Sequence, residues 1–207
     1  MKISAIETYP LVLPVREIYG GAAGFLEDCR PLIVRLETEY GIEGWGEATQ
    51  GRPGNTYETL ETMALMAQKY FAPALIGMDL EETGSVLCAL HRVRNGHPIT
   101  KAAIEIALFD ALGKLYRLPL CRLLGSPYRR EIELVGGLGM DLGGKAIAVR
   151  ALELKRDGTR IFKIKIGQRD HQKDIERVRA VREAVGSDAS IGWTATRLTR
   201  LPTLAGS

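Results

Sequence analysis

Hydrophobic and polar positions change their spacing twice along this chain. Residues 2–13 alternate weakly and end near Pro10 and Pro14, which predicts an edge strand closed by proline. Residues 15–30 hold Gly20-Gly21-Ala22-Ala23-Gly24 between Tyr19 and Phe25, and a flexible loop is expected there. Residues 31–38 alternate again, Glu39-Tyr40-Gly41 supplies a turn and residues 42–48 return, so a hairpin is predicted. A second loop is expected over 49–54. From Asn55 the period becomes helical. Asn55 and Glu58 have the spacing of a capping box, and Leu60, Met63, Ala64, Ala67 and Phe71 form one apolar stripe. Further helices are predicted over 79–94 and 99–116, the latter rich in small residues (Ala102, Ala103, Ala107, Ala111) that permit close packing. Strands followed by helices make an α+β domain.

After Arg129-Arg130 the two periods interleave. A strand over 132–139, a helix over 145–155, a strand over 161–166, a helix over 170–185 and a strand from 189 are predicted. Ile175, Val178, Val181 and Val185 are expected to face inward from the last helix. Alternating strands and helices at this spacing point to a parallel sheet or barrel. Two domains are therefore expected, 1–127 and 128–207.

The composition changes this picture little. Of 207 residues, 45% are hydrophobic and 26% charged, as in soluble globular proteins. The net charge of +3 is small and the basic residues are dispersed, so neither nucleic acid nor a membrane surface is expected as a partner. The N-terminal residues carry Glu7 where an export signal would be apolar, and Cys29, Cys88 and Cys121 form no metal or redox spacing. A cytoplasmic location is expected.

The candidate chemistry sits in residues 161–167, Ile-Phe-Lys-Ile-Lys-Ile-Gly. Alternation puts Phe162, Ile164 and Ile166 on one face of a strand and Lys163 and Lys165 on the other. If that second face lines a barrel, two confined ammonium groups disfavour each other's charge, and an amine there can serve as a general base. The plainer alternative is an edge strand with two solvated lysines. The glycines of Gly136-Gly137-Leu138-Gly139 also invite a phosphate-binding reading, but they lack the spacing of a dinucleotide fingerprint.

The order of several segments resembles the enolase superfamily, in its mandelate racemase and muconate lactonizing enzyme branch. The segments are Gly44-Trp45-Gly46-Glu47, the stretch 73–77, the helix 102–114 with Leu118-Pro119-Leu120 after it, and Lys163-Ile164-Lys165-Ile166-Gly167. The resemblance implies an α+β capping domain followed by an incomplete (β/α) barrel. It implies abstraction of the proton next to a carboxylate through an enediolate held by Mg²⁺, with Lys165 as base and Lys163 as the neighbour that tunes it. A small carboxylate is the substrate so implied. Residues 15–30 and 49–54 correspond to lids that close over the site, with Tyr19, Phe25 and Arg52 as their substrate-binding candidates.

The resemblance fails after residue 192. The family places Asp-Ala-Asn at the end of the third barrel strand, its Asp being a metal ligand, whereas this chain reads Trp193-Thr194-Ala195 and holds no carboxylate from 189 on. A full barrel takes ~250 residues, and about 80 follow the cap here. The chain alone is thus expected to bind no catalytic Mg²⁺, to be inactive, and to self-associate through open strand edges and apolar helix faces. The alternative is a non-catalytic truncated capping module or an association-prone fragment.

Overall fold

A computed structural model describes residues 1–21, 24–49, 57–168 and 170–195; for 16–21, 24–27 and 195 the backbone alone is described. The chain divides into two compact units. One comprises Met1–Pro14 with Asp28–Tyr128, and the other Val15–Glu27 with the chain from Arg129 onward.

The first unit begins with β1 (Ile3–Pro10); β2 (Leu13–Gly21) and β3 (Gly24–Cys29), which belong mostly to the second unit, form a separate two-stranded sheet. Those two strands correct the loop expected over 15–30: residues 13–21 and 24–29 are extended and paired with each other. β4 (Pro31–Thr38) and β5 (Glu43–Thr49) complete an antiparallel sheet of order β1-β4-β5, with Tyr9 opposite Ile33 and Leu36 opposite Gly44. β1 is an edge, as its terminal proline predicts. Leu32, Val34 and Leu36 are buried on one face, while Arg35 on the other joins Glu7, Glu37 and Glu43 at 3.2, 3.0 and 2.6 Å.

The helices follow as α1 (Leu60–Met66), a π-helical segment (Ala67–Phe71), α2 (Ala72–Leu75), α3 (Thr83–Val93), α4 (Pro98–Tyr116) and α5 (Leu120–Leu123). The π-helical segment has a local cause. Pro73 has no N–H and its ring would meet the carbonyl four residues back, so the chain widens and Ala72 N–H reaches Ala67 O instead. The expected Asn55–Glu58 capping box is not what opens α1: Thr59 is the N-cap and exchanges hydrogen bonds with Thr62. Asn55 lies outside the described residues. Glu58, 2% exposed, instead accepts hydrogen bonds from Ile99 N (2.8 Å), Thr100 N (3.2 Å) and the Thr100 hydroxyl. Those are the first amides of α4, which has no side-chain cap of its own, and a carboxylate is favoured at that positive helix end.

α4 packs on β5 at unusually short range. A Cβ on Gly44 would lie 1.9 Å from the Ala107 carbonyl oxygen, and one on Gly46 would lie 1.9 Å from that of Ala103. The two glycines and the buried stripe Ala103, Ala107 and Ala111 are therefore one packing device. Asp110 seals it by accepting from Trp45 N at 2.8 Å. The N-terminus is tied to the turn after α2: Ile3 N–H donates to Met78 O, Gly77 N–H to Ile3 O and Leu80 N–H to Met1 O, and the terminal ammonium meets Asp79 at 2.8 Å.

In the second unit β6 (Val135–Leu138), α6 (Gly144–Arg156), β7 (Ile161–Ile166), α7 (His171–Val185) and β8 (Ser190–Ala195) form a parallel sheet of order β6-β7-β8. The fold is the one expected, an α+β capping unit and the first strands of an incomplete barrel. β6 is shorter than predicted, Ile132 and Leu134 being 78% and 83% exposed ahead of it. Leu138, Ile147, Phe162, Ile164, Val181 and Val185 form the buried core between sheet and helices. Ile175 is not inward as expected: it is half exposed and borders an open apolar groove with Ile166, Val178, Ile191 and Trp193. Among the described residues, no helix is long and apolar enough to cross a membrane.

Candidate active site

β7 is the middle strand of its sheet, so the edge-strand alternative does not hold. Phe162 and Ile164 point to the helices and are fully buried. Alternation turns Lys163 and Lys165 to the other face, Lys163 exposed and Lys165 half-buried. In register, Lys163 sits between Gly137 of β6 and Gly192 of β8, and Lys165 lies beside Thr194. With glycine on both sides, Lys163 has no side chain at its flanks, whereas Lys165 has a hydroxyl-bearing neighbour on β8. The glycines that suggested a phosphate loop are part of this arrangement: Gly136 and Gly137 lie within β6 itself.

The strand ends in a backbone bend that only glycine adopts readily. Gly167 has φ +119°. Its N–H and that of Gln168 donate to Asp174 Oδ2 at 2.8 and 3.0 Å. Arg177, one turn along α7, is 2% exposed. Its guanidinium donates to the carbonyls of Leu142 (2.8 Å), Lys165 (2.8 Å) and Gly139, and to Asp174 Oδ1 at 3.3 Å. Burial pulls the Arg177 guanidinium below its usual pKa, and the Asp174 carboxylate works against that shift. Neither Asp174 nor Arg177 stood out in the sequence. The signal was there: they fall on the same helical phase as Val181 and Val185, and a charged pair on an inward stripe needs a reason.

Of the proposed substrate-binding residues, Tyr19 lies in β2 and Phe25 in β3, with the backbone alone described, and Arg52 lies outside the described residues. The two lysines are thus the sequence-predicted residues that the structure brings together. A magnesium ion does not fit the residues described. On the lysine face of β8 stand Ser190, Gly192 and Thr194, none a carboxylate, and no group of three or more His, Cys, Asp or Glu among the described residues could hold a metal ion.

Residues 17–125 match the mandelate racemase / muconate lactonizing enzyme N-terminal domain, and residues 146–202 match an enolase C-terminal domain-like family. The chain belongs to the mandelate racemase / muconate lactonizing enzyme family. Among curated members of that family, it is 33% identical over 212 residues to an N-succinyl-L-Arg/Lys racemase of Bacillus cereus, covering 99% of this chain and 57% of the racemase. It is 34% identical to a hydrophobic dipeptide epimerase of Enterococcus faecalis, covering 94% and 55%. A solved Enterococcus faecalis dipeptide epimerase, complexed with Mg and the dipeptide L-Leu-L-Tyr, superimposes with a TM-score of 0.88 at 32% identity, covering 95% of this chain and 54% of the epimerase. The muconate lactonizing enzyme of Pseudomonas putida gives 0.81 at 28%, covering 93% and 52%. The chain spans about half the length of the curated relatives it matches.

Proposed function

We propose that this chain carries the capping unit and the base-bearing strand of an isomerase or lyase that removes the proton next to a carboxylate, with Lys165 as the base. The observation that supports this reading most directly is the placement of both lysines on one face of the central strand, opposite the helix-covered face, in a chain of this family. In the reaction so proposed, the lone pair of the Lys165 amine takes the proton from the α-carbon. The electrons of the broken C–H bond move into the carboxylate to give an enediolate. Lys163 is the second amine of that face, one alternate position earlier, and its charge acts on Lys165. The relatives include an N-succinyl-L-Arg/Lys racemase and a hydrophobic dipeptide epimerase, so an N-acylated amino acid or dipeptide is the substrate class proposed here.

A carbon acid beside a carboxylate is too weak for an amine alone, because a second negative charge must develop on the same group. The described residues supply no metal site to offset that charge. We therefore propose that this chain by itself holds the base without completing the reaction.

Two measurements test these statements. The chain, with Mg²⁺ and N-succinyl-arginine in D₂O, is expected to exchange no α-proton, as read by NMR; exchange would overturn the second statement. A chimaera joining residues 1–188 of this chain to the remaining barrel of the Bacillus cereus racemase is expected to exchange it. In that chimaera Lys165→Ala is expected to lower the rate by about 10²–10⁴, the usual contribution of a general base. An undiminished rate in the substituted chimaera would refute Lys165 as the base.

A further inference from the structure

The structure holds a buried ion pair that the proposed chemistry does not use. Arg177 and Asp174 occupy the inward face of α7 near its start, where Val181 and Val185 occupy the same face further along. An apolar side chain at either position would continue the core. Burying an arginine and a carboxylate costs desolvation that their mutual attraction seldom exceeds, and apolar replacements of such pairs are often neutral or stabilising. A buried pair is better explained by what it orients than by what it stabilises.

What it orients is the end of the lysine strand. The guanidinium fan collects three carbonyls from three places: Gly139 just past β6, Leu142 in the loop leading to α6, and Lys165 in β7. Asp174 takes the two amides that follow, Gly167 and Gln168. Ile166 is thereby bracketed, with the carbonyl before it and the amide after it both fixed to α7. The bend at Gly167, φ +119°, is held in the same way. A side chain's direction follows from the backbone that carries it, and the Lys165 carbonyl belongs to that backbone.

We propose that the Asp174–Arg177 pair is a positioning device for Lys165, fixing the strand end so that this half-buried residue is held on the site face; this rests on Lys165 being the base. Both residues act through the backbone, and neither touches the reacting atoms. The device depends on the arginine's planar fork. Lysine at 177 keeps the charge and offers one donor point, so it cannot span three carbonyls.

The test is the labelling rate of individual lysines in the whole chain, by reductive methylation with ¹³C-formaldehyde, followed residue by residue. In the native chain half-buried Lys165 is expected to label more slowly than exposed Lys163. Arg177→Met and Asp174→Asn are each expected to raise the Lys165 rate about threefold or more, as the half-buried side chain becomes more accessible. Lys163, and Lys155 at the far end of α6, are expected to keep their native rates. Arg177→Lys is expected to behave as Arg177→Met. Asp174→Asn conserves volume and keeps the test available if loss of the arginine prevents folding. An unchanged Lys165 rate overturns the proposal, and so does an equal rise at all three lysines, which would mean general loosening. Restoration of the native rate by Arg177→Lys would overturn the role of the fork. The labelling needs no turnover, so a failure of Lys165 as base in the chimaera and a failure of the positioning device are read separately.

Discussion

Gly46→Ala tests whether β5 and α4 are locked together as tightly as the structure shows. The new Cβ would lie 1.9 Å from the Ala103 carbonyl oxygen and 2.9 Å from Ala107 N. Both are backbone atoms of a 19-residue helix, so no side-chain rotation can relieve the overlap. The helix must lift by more than an ångström, which loosens the fully buried Ala103, Ala107 and Ala111 and stretches the Trp45–Asp110 hydrogen bond. Overpacking typically costs 1–3 kcal/mol, and a backbone obstruction places this substitution above that range, at about 3–5 kcal/mol. That is a large share of the roughly 5–15 kcal/mol by which domains are stable. The assay is urea unfolding followed by Trp45 fluorescence in a Trp193→Phe background, so that the first unit is read alone. With a slope of roughly 1–3 kcal/mol per molar urea, the midpoint should fall by about 2 M. Ala103→Gly in the same background should not rescue it, because the obstruction is a carbonyl oxygen. A loss below about 1 kcal/mol would refute the close-approach argument.

The remaining expectations concern single contacts. Gly84→Ala, in α3 with nothing within 4 Å of the added carbon, should stabilise by about 0.5–1 kcal/mol, the helix penalty of glycine, and a destabilised variant in the same urea assay would contradict this. Glu58→Gln should cost about 1–3 kcal/mol, since it replaces a buried charged acceptor at the first amides of α4 with a neutral one, and a melting temperature equal to the native value would rule that out. The Asp188 carboxyl is held below its usual pKa chiefly by its hydrogen bond with Lys155. Its contribution to stability is therefore present above the ordinary aspartate pKa and lost as the pH falls through the lowered one. Lys155→Met should move its ¹³C-NMR titration midpoint upward, and an unmoved midpoint would dismiss Lys155 as the cause.

Strand β7 was legible in the sequence because its period of two has one solution: Phe162 and Ile164 inward, Lys163 and Lys165 away from the helices. The hairpin of β4 and β5 was legible for the same reason, with a glycine at its turn. The small residues of α4 were read as a packing surface, but their partner was not. Gly44 and Gly46 become intelligible only once the carbonyls of Ala107 and Ala103 stand over them. The strands β2 and β3 were hidden by their connection, because a cluster of glycine and alanine reads as a break in order. Glu58 was assigned to the wrong helix, since spacing along the chain reports local caps and cannot show a carboxylate reaching residues 99 and 100. Ile175 was placed inward by a phase that Asp174 and Arg177 occupy instead. Hydrophobicity sets the expected inward face, but here five backbone hydrogen bonds decided it.

The distance along the chain between β5 and its cover α4 sets an order of events during synthesis. The sheet face that carries Leu32, Val34 and Leu36 can be complete once residue 49 has left the ribosome, but the helix that closes over it ends at Tyr116. At roughly 5–20 residues per second, that interval is about 3 to about 13 seconds. Through most of it, the paired glycines of β5 are a vacant slot in an apolar surface. The N-terminal strand waits as well, since its outer partners, residues 77–80, emerge midway. The nascent chain therefore carries an unclosed sheet, with its apolar face uncovered, for much longer than such a sheet takes to form.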